Sequence, residues 1–399
     1  MAGPRIYVVG TADTKGAELA YLRDRITGRG ARPVVVDVGT RAPTIAVDVP
    51  ASVVVKYLPA DERRRVSSQD RGVAVAAMAD AFARFMPAQR SCQGIVAIGG
   101  GGGTSIATAG MRAMPIGLPK IMVSTLASGD VSPYVGIADI TMMPAVTDLA
   151  GLNRISRAIL GNAAEAIVGM AAHPTSTTMN RPSVGMTMFG VTTECVTMIV
   201  GLLPPDLEAV VFHATGTGGR TMEALIGNGM LTSVIDITTT EIADLLVGGV
   251  LAAGQDRLDV IARTGVPYVG SVGALDMVNF WSPETVPSRF HDRLFHHHNA
   301  NVTLMRTSAE ECDRIGQWIG AKLNACAGPV RFLLPEKGVS ALDIVGGPFR
   351  ASDADEALFE AIEHTVTQTS ERRIVRLPLH INDREFAEAA VAAFREINP

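Results

Sequence analysis

Short apolar runs alternate with amphipathic segments along all 399 residues of the chain. A short apolar run bounded by turn residues predicts a buried strand, and apolar positions that recur every three or four residues predict a helix. In the first half the pattern predicts strands over 5–9, 34–38, 94–98, 120–124 and 139–143, and helices over 15–29, 71–86, 104–113 and 153–172. In the second half it predicts strands over 184–189, 209–213, 233–238, 267–272, 301–306, 330–334 and 373–377, and helices over 192–203, 219–228, 241–252, 308–325, 355–368 and 383–396. This alternation is typical of an α/β fold whose parallel sheets carry helices on both faces.

The length of the chain exceeds what one hydrophobic core normally supports, which favours two domains. A polar stretch at 175–182 separates the halves and is interpreted as a linker. We therefore predict two Rossmann-like domains with doubly wound parallel sheets, residues 1–182 and 183–399. Ligands bind at the carboxyl ends of the strands in such sheets, so we expect a ligand cleft between the two domains.

The two halves also resemble a diverged duplication. Three pairs of segments correspond in this interpretation: 8–11 with 188–191, 99–105 with 216–221, and 121–125 with 234–238. The first half carries an additional insertion around residues 40–70, which is rich in proline, arginine and aspartate.

Composition and charge narrow the functional class. Hydrophobic residues make up 47% of the chain and charged residues 19%, as in a well-packed globular protein. The net charge of −5 provides no basic surface, so nucleic acid is not expected as a partner. The four cysteines have no C-x-x-C spacing and are predicted to be reduced, mostly buried thiols rather than zinc ligands.

The sequence also bears on the location of the protein. No stretch reaches about 18 uninterrupted apolar residues, so no membrane span is expected. The first predicted strand starts so early that no room is left for a signal peptide. We therefore expect a cytoplasmic protein.

A glycine-rich turn links the strand at 94–98 to the helix that follows. It consists of Gly99, Gly100, Gly101, Gly102, Gly103 and Thr104. Backbone N–H groups at a helix N-terminus lack intrahelical acceptors and, together with the helix dipole, bind anions. Five glycines cost more conformational entropy than a simple turn requires, so this run predicts a phosphate-binding loop. No Gly-Lys-Ser/Thr follows, so it is not a Walker A loop, and a flexible tight turn is the alternative.

Polar residues follow two further strands of the first half. Thr11, Asp13, Thr14 and Lys15 follow the first strand, and Ser128, Gly129 and Asp130 follow the fourth. Lys15 suits neutralisation of a phosphate, while Asp13 and Asp130 suit coordination of Mg²⁺. A helix N-cap and an ordinary hydrogen-bonded loop are the alternative interpretations.

A second glycine-rich turn follows the strand at 209–213. Its candidate ligand-binding residues are Gly216, Gly218, Gly219, Arg220 and Thr221. The planar guanidinium of Arg220 suits a phosphate or a carboxylate. We expect this turn to complete the ligand site from the second domain.

The sequence identifies no catalytic residue. The candidates are Glu194, at the start of a helix, and Asp236, whose charge inside an apolar strand requires a partner. Cys195 at the same helix start is a further candidate nucleophile, because a helix N-terminus lowers the pKa of a thiol. A capping box accounts for Thr238–Glu241 without any ligand.

Residues 276–300 have few regular signals and are predicted to form a long irregular loop. This segment includes the cluster His296, His297 and His298. We interpret the cluster as part of a solvated loop or a subunit contact, with one histidine contacting a ligand as the alternative.

Taken together, these motifs resemble the Tm-one-like ATP-binding domain family. The segments that carry the resemblance are 10–16, 99–104, 128–130, 213–223, 299–307 and 333–338, so it extends over essentially the whole chain. The resemblance implies two Rossmann-like subdomains, ATP bound with magnesium, and a homodimer. In the plant member of the family a TIM-barrel-like domain follows this region. Because the chain ends at Pro399, a separate TIM-barrel protein is expected as a partner.

The leading functional hypothesis is an ATP-binding enzyme of small-molecule metabolism that acts on an anionic substrate in the interdomain cleft. A second hypothesis is a nucleotide-sensing module that binds ATP without turnover. A third is a nucleotide-independent lyase or hydrolase of an anionic metabolite. Since the sequence offers no secure nucleophile or metal triad, the second hypothesis stays open.

Overall fold

The computed structural model describes residues 3–173 and 181–398. It divides into two compact units, Met1–Thr177 and Thr178–Pro399. The predicted linker at 175–182 lies largely outside the described residues. No described helix has both the length and the apolar character needed to cross a membrane.

Unit 1 contains one parallel sheet covered by helices on both faces. Its strands are β1 (Arg5–Gly10), β2 (Arg32–Asp37), β3 (Gly94–Gly99), β4 (Lys120–Ser124) and β5 (Thr141–Pro144). Its helices are α1 (Gly16–Gly28), α2 (Ala51–Val55), α3 (Arg71–Phe85), α4 (Gly101–Arg112), α5 (Ser132–Val135) and α6 (Arg154–Ala172). The strands lie in the order β2-β1-β3-β4-β5, and every pairing is parallel.

Alternation along β1 divides the core of unit 1 between the two faces of the sheet. Tyr7 and Val9 pack on the face that α3 and α4 cover, whereas Ile6 and Val8 pack beneath α1 and α6. A strand that is buried on both faces reads as a continuous apolar run, which is why the sequence predicts it readily.

Unit 2 contains a main parallel sheet, which is larger than that of unit 1, and a small separate sheet. Its strands are β6 (Ser183–Met188), β7 (Glu208–His213), β8 (Ser233–Thr238), β9 (Tyr268–Gly273), β10 (Met277–Phe280), β11 (Phe295–Asn299), β12 (Val302–Arg306), β13 (Val330–Pro335) and β14 (Arg372–Leu377). Its helices are α7 (Thr193–Leu202), α8 (Thr217–Gly227), α9 (Thr240–Val247), α10 (Asp259–Thr264), α11 (Ala309–Asn324), α12 (Ser352–Thr365) and α13 (Arg384–Ile397). The main sheet has the order β14-β13-β9-β8-β6-β7 and is parallel throughout. The prediction of two Rossmann-like α/β domains is confirmed.

The prediction of an irregular loop over 276–300 is wrong. β10, β12 and β11 form a separate antiparallel sheet in that order, and His296, His297 and His298 lie on its edge strand β11. This strand is half exposed and has little apolar alternation, so its sequence gives no strand signal. The ring of His296 packs edge-on against Phe349.

The topology corrects the correspondence between the two halves. In unit 1 the central strands have the order second-first-third-fourth along the chain, and β7-β6-β8-β9 repeats this order in unit 2. The turn at 99–105 follows the third strand, whereas the turn at 216–221 follows β7, the second. The counterpart of β3 is therefore β8, and the two glycine turns are not equivalent. Glycine-rich turns follow many strands, so their alignment in sequence was misleading.

A buried charge cluster holds Asp236 in unit 2. Arg257, which is 1% exposed, donates from Nη2 to both carboxylate oxygens of Asp236 at 2.9 and 2.7 Å. Its Nη1 donates to Glu223 at 2.8 Å and its Nε to Glu241 at 3.3 Å. The hydroxyl of Tyr268 also donates to Asp236 at 2.9 Å. Asp236 thus has the partner that its position in an apolar strand demanded.

One guanidinium balances three carboxylates in this cluster. Although burial lowers the pKa of Arg257, the carboxylates of Asp236, Glu223 and Glu241 raise it well above its ordinary value. Burial raises the pKa of Glu223 despite the neighbouring cation. The raised pKa favours the protonated form of this carboxyl group. The stability of unit 2 therefore depends on Arg257.

We predict that Arg257→Met destabilises unit 2 by about 3–5 kcal/mol, because it leaves three buried carboxylates without their cation. Calorimetric unfolding of the purified variant measures this loss. The matched control is Arg384→Met, which removes an exposed arginine whose acidic partner among the described residues is Glu388, and it should cost no more than about 1 kcal/mol. Equal unfolding temperatures for the two variants would contradict the role given to the cluster.

Candidate functional site

A cavity of about 710 Å³ lies at the carboxyl edge of the unit 1 sheet. The loops after β1, β2 and β3 line it, together with the start of α3. β2 lies on one side of β1 and β3 on the other, so the direction in which successive strands are added to the sheet reverses at this point. Ligands of doubly wound sheets bind at this switch point, and the volume lies within the range of about 300–1,000 Å³ found for ligand pockets.

The packing of the fold requires a glycine at position 99 of the first glycine-rich turn. A Cβ at Gly99 would lie 2.7–2.8 Å from backbone atoms of Gly103 and Thr104, so no side chain fits there. At Gly100, Gly101 and Gly103 the nearest atoms would be 3.6–3.7 Å away, which is ordinary contact.

None of the glycines from Gly99 to Gly103 has a positive φ. At Gly102 an added Cβ would lie 3.3 Å from Val75 Cγ2. Gly100, Gly101, Gly102 and Gly103 all line the cavity. The lack of side chains at these positions leaves the backbone open to whatever the cavity holds.

The same turn exposes unpaired amides to the cavity. α4 begins at Gly101, and its first internally bonded amide is that of Thr104, which donates to Gly100 O at 2.8 Å. In the described part of the chain, the N–H groups of Gly101, Gly102 and Gly103 have no acceptor. Three free donors at the positive end of a helix form an anion site.

The residues that follow β1 form the neighbouring wall of the cavity. Thr11, Asp13, Thr14 and Lys15 all line it, as the sequence predicts for one site. The hydroxyls of Thr11 and Thr14 lie 2.7 Å apart, and Lys15 Nζ donates to the carbonyl of Leu149. An ammonium group has three donors, so this bond leaves two for a ligand.

Asp13 fits a magnesium ion that accompanies a phosphate ligand. Its Oδ1 atom is buried and, among the described residues, has no hydrogen-bond partner. Asp37 Oδ1 lies near the same point, but it already accepts the N–H groups of Ala12 and Gly39 and does not line the cavity, which leaves Asp13 as the carboxylate for the metal ion. Mg²⁺ is commonly held by one or two carboxylates together with phosphate oxygens, which agrees with this donor set. The described residues contain no group of three metal-ligating side chains.

Other predicted residues lie away from the cavity wall. The hydroxyl of Thr104 is buried and bonded to Ser124 Oγ at 2.7 Å. Ser128, Gly129 and Asp130 are exposed in the loop after β4, and Asp130 accepts two bonds from Ser132. These bonds lower the pKa of the exposed Asp130 carboxyl. The geometry therefore does not favour a metal ion that Asp13 and Asp130 bind together.

The second glycine-rich turn is occupied by an internal carboxylate. Glu241 Oε1 accepts the N–H groups of Gly216 and Gly219 at 2.8 and 3.0 Å. A Cβ at Gly218 would lie 1.8 Å from His213 O, and one at Gly219 would lie 2.1 Å from Glu241 Oε2.

The fold thus requires these glycines. The interpretation of Thr238–Glu241 as a capping box is wrong, because Glu241 reaches the glycine turn instead of its own helix start. Arg220 Nε donates to Gly216 O, and Thr221 donates to Thr217 O within α8. Glu241 therefore already occupies the Gly216 and Gly219 amides of this turn.

The three candidates for chemistry in unit 2 lie in different environments. Glu194 is exposed in the first turn of α7, where its role stays a prediction. Asp236 is fully buried in the charge cluster. Cys195 is also fully buried, and this burial raises the pKa of its thiol to about 12, which disfavours a thiolate nucleophile. All four cysteines are free and buried, as predicted.

Two cationic residues that line the cavity were not predicted from the sequence. Arg41, after β2, and Arg71, the first residue of α3, both line the cavity. They belong to the arginine-rich insertion around 40–70 and its edge, where composition alone does not single out any one arginine. Their common signal is that they border predicted elements next to the site.

Comparison with known proteins assigns the whole chain to one family. A family model of the N-terminal domain of the uncharacterised protein family UPF0261 matches residues 4–176, and that of its C-terminal domain matches residues 181–398. A UPF0261 protein of Rhizobium meliloti is 64% identical over 99% of this chain and 100% of its own length.

A UPF0261 protein of Clostridium tetani is 43% identical over 96% of both chains. The ToMV resistance protein Tm-1 of Solanum lycopersicum is 39% identical over 99% of this chain but only 56% of its own length. The chain therefore belongs to the UPF0261 family, and the predicted likeness to the tomato Tm-1 proteins is confirmed.

Proposed function

We propose that unit 1 binds ATP with magnesium in the cavity at the carboxyl ends of β1 and β3. In this proposal a phosphate of ATP accepts hydrogen bonds from the N–H groups that begin α4. The observation that carries this proposal is the glycine run. Four of its five glycines line the cavity, and at least three of these four are not required by the fold. Their absent side chains have a function if a phosphate approaches the backbone closely.

The rest of the cavity suits the other parts of a nucleotide. Lys15 and the hydroxyls of Thr11 and Thr14 offer donors to phosphate oxygens, and Asp13 offers a carboxylate to the metal ion. Val38, Val66 and Ile106 provide an apolar surface for a flat base. When bound, magnesium would neutralise charge on the phosphates.

We also propose that the protein is an enzyme of small-molecule metabolism that uses this nucleotide on an anionic substrate. The alternative is a nucleotide-sensing module that binds ATP without turnover. Release of ADP or phosphate during incubation with candidate carboxylates distinguishes the two. An enzyme shows substrate-dependent release, whereas a sensor binds ATP and releases neither product.

The family resemblance supports two further proposals, a homodimer and a separate TIM-barrel partner, and the four free cysteines support a third, a cytoplasmic location. The tomato relative extends well beyond the region matched by this chain, which leaves room for another domain in that protein. Light scattering of the purified chain tests the dimer. Copurification with a barrel protein from the source cell tests the partner.

We predict that Gly103→Ala has opposite effects on folding and on ATP binding. Alanine in a helix should stabilise the fold by up to about 0.5–1 kcal/mol, because it reduces the conformational freedom of the unfolded chain. Its methyl group at the cavity wall should lower ATP affinity by at least about tenfold, or 1.4 kcal/mol. Thermal unfolding with and without ATP and Mg²⁺ measures both effects.

Gly169→Ala is the matched control, because Gly169 lies in α6 and a Cβ added there would have no atom within 4 Å. It should stabilise the fold similarly and leave ATP binding unchanged. For wild type, ATP at 100 times its Kd should add about 2.7 kcal/mol of stability. A Gly103→Ala protein that retains this full gain would remove the glycine run from the site.

We predict that Lys15→Met weakens ATP binding by about tenfold, because one charge-assisted hydrogen bond to a phosphate is lost. The contact of Lys15 with Leu149 is also lost, so the unfolding temperature should fall slightly. Lys15→Arg retains the charge and should recover most of the affinity in a titration. Unaltered ATP affinity in Lys15→Met would leave this lysine with a purely structural role.

A further inference from the structure

We infer that Arg41 and Arg71 make the cavity selective for a polyphosphate chain, so that its ligand is a nucleoside di- or triphosphate rather than a nucleoside monophosphate. The nucleoside part of this inference rests on the proposed function. The selection of a highly charged anion rests on the two arginines themselves.

Arg71 lies beside the free amides at the start of α4. Its Nη2 atom is 3.9 Å from the position that a Cβ on Gly102 would occupy. The N-terminus of α3, where Arg71 lies, is already capped by the carboxylate of Asp70. The N-terminus of α4 has no capping side chain, and a cation beside it is electrostatically unfavourable unless an anion lies between them. A negatively charged ligand between Arg71 and the amides of α4 accounts for this placement.

Arg41 and Arg71 are both exposed at the cavity wall. Among the described residues, no acidic side chain pairs with them and no acceptor bonds to their guanidinium groups. Arg65, close by in the same insertion, does pair with Glu62 at 3.1 Å. An arginine fork matches phosphate oxygens in a bidentate arrangement, which gives both groups a defined partner in the ligand.

The cavity as a whole carries an excess of positive charge. Its wall contains Lys15, Arg41 and Arg71 but only one carboxylate, Asp13. This excess lies in a chain whose net charge is −5, so it is local to the cavity. The three cations and one carboxylate leave an excess of about two positive charges, and a magnesium ion on Asp13 would raise it to about four. A nucleoside monophosphate carries about two negative charges at pH 7 and leaves the magnesium-loaded site unbalanced, whereas a di- or triphosphate carries about three or four.

The insertion that supplies this charge distinguishes unit 1 from unit 2. Thr40, Arg41 and the segment Ser67–Arg71 reach the cavity from the long connection between β2 and β3. The equivalent connection in unit 2, between β7 and β8, contains only α8. The charged wall is therefore a feature added to the common sheet of one unit.

Calorimetric titration of the full chain tests this assignment with ATP, AMP and inorganic tripolyphosphate as probes. Wild type should prefer ATP over AMP by at least about tenfold. Arg71→Gln and Arg41→Gln should each weaken ATP and tripolyphosphate by about tenfold, and the double variant should reduce the ATP preference to about threefold or less. Arg64→Gln is the control, because Arg64 is an exposed arginine of the same insertion outside the cavity wall. It should change each affinity by less than about twofold at 0.15 M salt.

The outcomes separate this inference from the proposed function. If wild type and Arg71→Gln bind ATP equally, the assignment of the arginines is overturned while ATP binding stands. Equal losses in Arg71→Gln and Arg64→Gln would overturn it too, because the effect would then be one of overall charge. If tripolyphosphate binds through the arginines and ATP binds no better, the nucleotide proposal fails and the polyphosphate assignment stands. If wild type binds none of the three probes, both are overturned.

Discussion

Three backbone N–H groups at the start of α4 have no acceptor among the residues that the structure describes, and the candidate site of unit 1 depends on them. They arise because a helix cannot satisfy its own first amides. A capping side chain can satisfy such groups, but Gly100 at the N-cap of α4 has none. The strand order then places these donors at the carboxyl ends of the adjacent strands β1 and β3, in a cavity of about 710 Å³. An unsatisfied donor in such a place is stabilised only by water or a ligand.

Unit 2 repeats the sheet order but fills the equivalent point from within. Its third strand, β8, ends in Thr238, whose hydroxyl bonds to that of Thr192 at 2.8 Å, and both side chains are fully buried. The helix that follows carries Glu241, which takes up the amides of the neighbouring glycine turn and joins the Arg257 cluster. One sheet topology thus supports an open anion site in one unit and a closed, self-satisfied structure in the other.

The sequence predicted most of the fold, because buried parallel strands and amphipathic helices have strong periodic signals. It placed the start of α4 at 104 instead of Gly101, since glycine has low helix propensity and the first turn consists of three glycines. It missed β10, which is only four residues long, and β11, whose half-exposed residues have little apolar alternation.

For the site, the sequence correctly grouped Thr11–Lys15 with the glycine run, because both follow neighbouring strands at the same edge. It could not foresee that Glu241 occupies the second glycine turn. That contact depends on which strand precedes the turn, and hence on topology. Arg41 and Arg71 were likewise invisible, since the path of the insertion across the cavity is set by tertiary packing.

The central claim is that the amides of Gly101, Gly102 and Gly103 bind a phosphate of ATP. Nuclear magnetic resonance of the ¹⁵N-labelled protein, titrated with ATP and Mg²⁺, observes these amides directly. The account predicts large, saturable shifts of the three amide signals, with the amides of Gly216 and Gly219 unaffected because Glu241 already holds them. Saturable binding of ATP that leaves the signals of Gly101, Gly102 and Gly103 unchanged would contradict it.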